Sequence, residues 1–190
     1  MISTKFKVFL GLILATGLIA LWATNRWYQR LDNYTSLENY GGYLKKEFPE
    51  VEHISTDSLS VMVKSRDAGV SPLILVDSRE PEEFQVSHIP GAVNLQSAGK
   101  VAEYLGENGP ASVVVYCSVG YRSATLAKEL KASGIEAKNV VGSIFSWANE
   151  DRPLVDSEGN LTEKVHPYNQ FWQRHLEEGK AIELEEEEGD

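Results

Sequence analysis

Hydrophobic positions along this chain change their periodicity from segment to segment, and each change predicts an element. The first run, "VFLGLILATGLIALWATN" from Val8 to Asn25, carries no charge and is bounded by Lys7 and Arg26. As a helix its eighteen positions cover roughly 27 Å, close to the hydrocarbon thickness of a bilayer. It lacks the polar face of a core helix, and "ATG" at Ala15 to Gly17 is a poor signal-peptide cleavage site. Trp22, Trp27 and Tyr28 suit a water interface. A single-pass membrane anchor over residues 1–28 is therefore expected. Lys5 and Lys7 balance Arg26 and Arg30, which leaves the side of the membrane undecided.

Residues 29–52 read as a linker, with a short helix around Leu37 to Phe48 weakened by Gly41 and Gly42 and closed by Pro49. Beyond it, Leu59, Met62 and Val63 fall at helical intervals, and then "LILV" at Leu73 to Val76 is apolar without alternation. So short a run suits a strand covered on both faces. The pattern then repeats: "GAVNL" reads as a strand, "AGKVAEYLG" as a helix, "SVVVYC" as a second buried strand. "SATLAKELKASG" reads as a helix with Ser123 as N-cap and Gly134 as C-cap, and "KNVVG" as a further strand before "SIFSWAN". Alternation at this spacing implies an α/β domain over residues 53–155, its mostly parallel sheet flanked by helices on both faces. Tyr168, Phe171, Trp172 and Leu176 predict a helix in a C-terminal extension, residues 156–176, packed back on the domain.

Composition adds little to this picture until the charge is located. The net charge is −10, but residues 176–190 hold eight acids and one lysine, a balance of −7, which leaves −3 for everything before them. Residues 177–190 are accordingly expected to be a solvated, disordered acidic tail, with no protein partner named by the sequence. No basic stripe is present to attract nucleic acid. Four scattered histidines and one cysteine offer neither metal-ligand spacing nor a disulfide, so no metal and no cofactor are expected.

That one cysteine, Cys117, stands where the "VVVY" strand ends and a helix begins. A lone cysteine after four apolar residues is most often a small buried hydrophobe. Its sequel points elsewhere. Gly120 permits a tight loop with positive backbone torsion, binding sites in parallel sheets lie at the carboxyl ends of strands, and a strand-loop-helix turn aims backbone N–H groups and the helix dipole at an anion. A thiolate held there is a competent nucleophile. Arg122, always charged, can brace the loop or contact a bound oxyanion.

Together these residues resemble the rhodanese-like sulfurtransferases. "CSVGYRS" is similar to that family's active-site loop, Cys-x-x-Gly-x-Arg-Ser; "LVDSREPEEF" to its Asp-x-Arg segment; "SHIPGAVNL" to its Gly-His-Ile-Pro-Gly-Ala stretch; and "VVGSIFSWANEDRPLV" to its closing Gly-Gly-x-x-x-Trp element. Ser87 and Val141 stand where the family usually has glycine. The resemblance implies a rhodanese-like fold and a persulfide on Cys117, taken from thiosulfate or a persulfide donor and passed to a thiol or cyanide. It implies substrate contacts from Ser118, Val119, Gly120, Tyr121, Arg122 and Ser123, with Asp77 and Arg79 in support. The partners expected are thus a small sulfur donor, a thiol acceptor and, through the N-terminal segment, the membrane.

Related phosphatases place one more residue between cysteine and arginine, because a tetrahedral phosphate must fit inside the loop. A cysteine-histidine hydrolase using His88 and Asp77 is the weaker enzymatic rival. The non-enzymatic alternative is a membrane-tethered binding or sensing module.

Overall fold

The computed structural model describes residues 37–184, together with helical residues 17, 20–22, 24 and 26. The expected membrane anchor over residues 1–28 does not stand. No helix among the described residues is long and apolar enough to cross a membrane, and most of the expected span lies outside the described residues. The longest fully described helices run 12 residues, about 18 Å against a hydrocarbon core of about 30 Å. Apolar composition scores the transfer of side chains into lipid, whereas a span also requires a continuous helix that satisfies the backbone there. Single-pass membrane localisation, and the membrane as partner, are corrected accordingly.

In chain order the elements are α1 (Leu37–Glu47), β1 (Glu52–Ile54), α2 (Thr56–Asp67), β2 (Leu73–Asp77), α3 (Pro81–Val86), β3 (Ala92–Asn94) and α4 (Ala98–Asn108). There follow β4 (Ser112–Tyr116), α5 (Tyr121–Ala132), β5 (Ala137–Val140), α6 (Ser143–Asn149), β6 (Leu154–Val155), β7 (Leu161–Thr162) and α7 (Gln170–Gln173). Five strands form a sheet in the order β1-β5-β4-β2-β3, every pair parallel. Val113 to Tyr116 and Ile74 to Asp77 are buried at every position, so side chains pointing both ways are covered and the sheet is clad on both faces. Helices do the covering in pairs, α2 meeting α6 and α4 meeting α5. β4 lies at the centre, with the ends of β2 and β5 on either side of the point where Cys117 emerges.

Three segments depart from the sequence pattern. Residues 37–51, expected to act as a spacer, send Tyr40, Leu44, Phe48 and Val51 into the core. Gly41, which weakened the helix by propensity, is where α1 crosses Val141: a Cβ on this glycine would lie 2.8 Å from Val141 Cγ1. The expected helix through Tyr168 and Leu176 is the four-residue α7, because Tyr168 adopts a φ of 65° outside the helical region and Asn169 caps the turn. Residues 177–182, expected to begin the solvated tail, are tied down: Ala181 bridges Val165, and Lys180 pairs with Asp151. Those past 184 lie outside the described residues.

Because Leu44 is fully buried between α1 and the domain, Leu44→Ala is expected to cost about 2–5 kcal/mol. Its denaturation midpoint should fall in a single cooperative transition. Were α1 only a spacer, the midpoint would not move.

Candidate active site

β4 ends at Tyr116 and α5 starts at Tyr121, so Cys117 to Gly120 form the turn between them. The helix is capped by Gly120, three residues earlier than the expected N-cap Ser123. Glycine is required at 120 twice over. Its φ is 117°, and a Cβ there would lie 2.8 Å from Leu44 Cδ1 and 3.1 Å from the Val140 carbonyl oxygen. Freed from capping, Ser123 is buried in the first turn of α5, facing inward.

The loop's conformation is imposed by the neighbouring strand-helix turn. N–H groups of Ile144, Phe145 and Gly142 donate to the carbonyls of Cys117, Ser118 and Val119 at 3.1, 3.1 and 3.2 Å. A trans peptide points its N–H opposite its carbonyl, so the N–H groups of Ser118, Val119 and Gly120 are turned to the other side. The last of these donates to Cys117 Sγ at 3.1 Å. The N–H of Cys117 itself donates to Ser143 Oγ at 3.1 Å, and Ser143 holds a φ of 47° to make this contact while its hydroxyl donates to the Val140 carbonyl.

A hydrogen-bonded chain leads away from the sulfur. Ser123 Oγ lies 3.4 Å from Cys117 Sγ and 2.6 Å from Asn139 Oδ1. A hydroxyl has one proton to donate, and the shorter contact takes it, leaving the serine oxygen as an acceptor for the thiol. Asn139 Nδ2 then donates to His53 Nδ1 at 3.1 Å, which makes Nε2 the protonated ring nitrogen, and Nε2 donates to the Phe48 carbonyl at 3.1 Å. Neither Asn139 nor His53 stands out in the sequence, since the pairing of β1 with β5 is what aligns them.

Arg122 and Glu83 form the second feature. Arg122 Nη1 and Nη2 donate to the two carboxylate oxygens of Glu83 at 2.6 and 2.8 Å, and Ser118 Oγ donates to Glu83 Oε1 at 3.0 Å. Glu83 is buried, and burial pushes its carboxyl upward, but the Arg122 guanidinium, reinforced by Arg79 and the Glu80 N–H, holds it below the ordinary glutamate range. Glu83 was not among the residues singled out by sequence. Its signal was there in "EPEE", where Pro81 at the first helical position and an acid at the third open a helix.

Asp77 and Arg79 lie at the end of β2 as a fully buried pair. Arg79 Nη2 donates to Asp77 Oδ2 and to the Ser87 carbonyl, both at 2.6 Å. Ser87, one of the two departures from the family pattern, thus serves through its backbone. Neither Asp77 nor His88 hydrogen-bonds Cys117 among the described residues: Asp77 is taken by Arg79, while His88 bonds the Phe84 carbonyl and stacks on the Phe84 ring at 3.8 Å. That arrangement leaves the cysteine-histidine hydrolase without its base.

Cys117 is 1% exposed but not sealed. It lines a cavity of about 210 Å³, together with Ser118, Val119, Tyr121 and Arg122 of the loop. Tyr40 from α1, Tyr168 and Trp172 complete the walls, and sequence reasoning assigned none of these three to the site. Tyr40 and Trp172 meet edge to face at 5.6 Å, and the Arg122 guanidinium lies 4.7 Å from the Tyr168 ring centre. No group of acids, histidines and cysteine able to hold a metal occurs among the described residues.

A family model for the rhodanese-like domain matches residues 57–150. A putative sulfurtransferase of Bacillus subtilis is 30% identical over 105 residues, covering 55% of this chain and 97% of that protein. A protein of Pyricularia oryzae named adenylyltransferase and sulfurtransferase is 26% identical over 121 residues, covering 52% of this chain. This chain spans 25% of the length of that relative. A crystal structure of a thiosulfate sulfurtransferase from Pseudomonas aeruginosa shares the fold with a TM-score of 0.53 at 17% identity, over 72% of this chain and 25% of that one.

The Glu83 carboxyl, lowered in the folded state, contributes stability that is present above the ordinary glutamate range and is lost as pH falls through its folded value. Thermal unfolding followed down from neutral pH should therefore show a midpoint that declines below that range. In Glu83→Gln the midpoint is expected to start lower and to decline less. Parallel profiles for the two proteins would disprove the coupling.

Proposed function

Because this chain belongs to the rhodanese-like domain family, we propose that it is a sulfurtransferase in which Cys117 carries the sulfur as a persulfide. The observation that carries this reading is the placement of Cys117 Sγ, at the floor of a cavity, accepting the Gly120 N–H inside a loop whose carbonyls are turned away. An anionic sulfur is stabilised there by backbone dipoles that need no reorganisation.

In the first step the Cys117 thiolate attacks the outer sulfur of a donor such as thiosulfate or an organic persulfide. An S–S bond forms at Cys117 as the donor's own S–S bond breaks, and the electron pair leaves with sulfite or a thiolate. In the second, an acceptor thiolate or cyanide attacks the outer sulfur of the persulfide, and the pair returns to Cys117. Each step exchanges one sulfur–sulfur bond or, with cyanide, forms a carbon–sulfur bond in its place. Ser118, Val119 and Gly120 present N–H groups to the migrating sulfur, and Tyr121 and Ser123 stand beside it. Arg122 shapes the loop through Glu83, with Asp77 and Arg79 behind it. Relatives named sulfurtransferases support this assignment.

The test is direct. Incubation of the protein with thiosulfate or glutathione persulfide is expected to add the mass of one sulfur atom at Cys117, removable by a thiol, with no addition to Cys117→Ser. No sulfur on Cys117 with any sulfane donor would favour a binding module instead.

A further inference from the structure

The family match covers residues 57–150, yet Tyr40, Tyr168 and Trp172, three walls of the cavity over Cys117, lie outside it. They come from segments on either side of the domain, brought together at its surface by the core residues Leu44 and Phe48 of the α1 region and by Leu176 after α7. The shared domain supplies the sulfur-holding loop; the flanking segments supply what a donor meets on its way in.

Three properties of that approach bear on the donor. Among the described residues Arg122 is the one charged side chain lining the cavity, and both its terminal nitrogens are engaged by the Glu83 carboxylate. The pair is formally neutral, so it offers no net charge to a dianion. Beyond the loop residues Cys117, Ser118 and Val119 the walls are the aromatic rings of Tyr40, Tyr121, Tyr168 and Trp172, and aromatic faces carry negative quadrupole density that favours apolar groups over anions. Finally, about 210 Å³ is several times the roughly 30 Å³ of a single water, though below the range of roughly 300 Å³ and above typical of drug-sized ligands. It is room for a small organic body beside the sulfur.

We propose that the cavity selects an organic sulfane-sulfur donor, singly charged and carrying a flat or apolar body, over inorganic thiosulfate, and that Tyr40, Tyr168 and Trp172 make this choice. It rests on the sulfur-transfer reading of Cys117 given above. With a thiosulfonate as donor, the Cys117 thiolate forms a bond to the terminal sulfur, the bond from that sulfur to the sulfonyl sulfur breaks, and the electron pair leaves with the sulfinate. No oxidant or reductant is needed.

Thiosulfate, methanethiosulfonate and benzenethiosulfonate separate charge from body, because the last two share charge and reactive group. The rate of sulfur loading on Cys117 of the full chain is measured for each, divided by the rate for free N-acetylcysteine to remove intrinsic reactivity. Benzenethiosulfonate is expected to be favoured most and thiosulfate least. Trp172→Ala and, independently, the half-exposed Tyr168→Ala should lower the benzene-to-methane ratio about threefold to tenfold, the scale of an aromatic contact. Trp172→Phe should retain most of it. Equal normalised rates for all three donors, or a ratio unchanged in both alanine variants, would overturn the proposal while leaving sulfur transfer intact. If no donor loads Cys117, the sulfur-transfer reading itself fails. Calorimetric binding of benzenesulfinate to Cys117→Ser, weakened by Trp172→Ala, then still decides whether the cavity takes such a body.

Discussion

Three hydrogen bonds hold the site in shape: those from the N–H groups of Ile144, Phe145 and Gly142 to the carbonyls of Cys117, Ser118 and Val119, in that order. A loop of so few residues has its peptides either carbonyl-in or amide-in, and the difference is the difference between repelling and holding an anionic sulfur. The turn after β5 imposes the second choice by satisfying the carbonyls from outside. Its own geometry is demanding, with Gly142 at φ 69° and Ser143 at φ 47°. A Cβ at 142 would lie 2.0 Å from Ser146 Oγ, so this position has no room for a side chain; counted back from Trp147, the family's Gly-Gly-x-x-x-Trp spacing falls on Gly142 and Ser143, and it is Ser143, not Val141, that takes a glycine's place.

Two buried ion pairs play different parts around this loop. Asp77–Arg79 is fully enclosed, and its bonds run to the backbone of the segment between α3 and β3; it fixes where β2 ends. Glu83–Arg122 is bidentate and partly open to the cavity, joining α3 to the loop through Ser118 as well. Removing one partner from such a pair leaves an uncompensated charge, which costs more than the pair contributes. The two pairs are linked, since Arg79 adds its field to that of Arg122 at Glu83.

Helix α1 shows how local propensity and tertiary packing can disagree. Two adjacent glycines argue against a helix, each costing up to about 1 kcal/mol relative to alanine. One of them is used: at Gly41 the helix comes close enough to touch Val141, and Leu44 from the next turn packs on Gly120. The loop glycine, Val141 and the helix glycine thus form one packing arrangement, and through it α1 delivers Tyr40 to the cavity.

Strands β2 to β5, the helices α2, α4 and α5, the loop with Cys117, Gly120 and Arg122, and the Asp-x-Arg segment were legible in the chain, because each depends on periodicity or on residues a few positions apart; the short strands β1, β6 and β7 were not. Glu83, Asn139, Ser143 and the aromatic walls were not. Their roles arise where β1 meets β5, α3 meets α5, and two flanking segments meet each other, contacts between residues up to 132 positions apart, as with Tyr40 and Trp172. The apolar stretch at the front lies mostly outside the described residues, among which no helix is long and apolar enough to cross a membrane. The chain's own pattern was enough for the central strands, the place of Cys117 at the end of β4 and the turn that follows it, since local backbone preference and burial pattern act over short range. Only the tertiary structure decided what surrounds that sulfur, because a cavity is defined by surfaces that no stretch of chain possesses until distant parts close upon it.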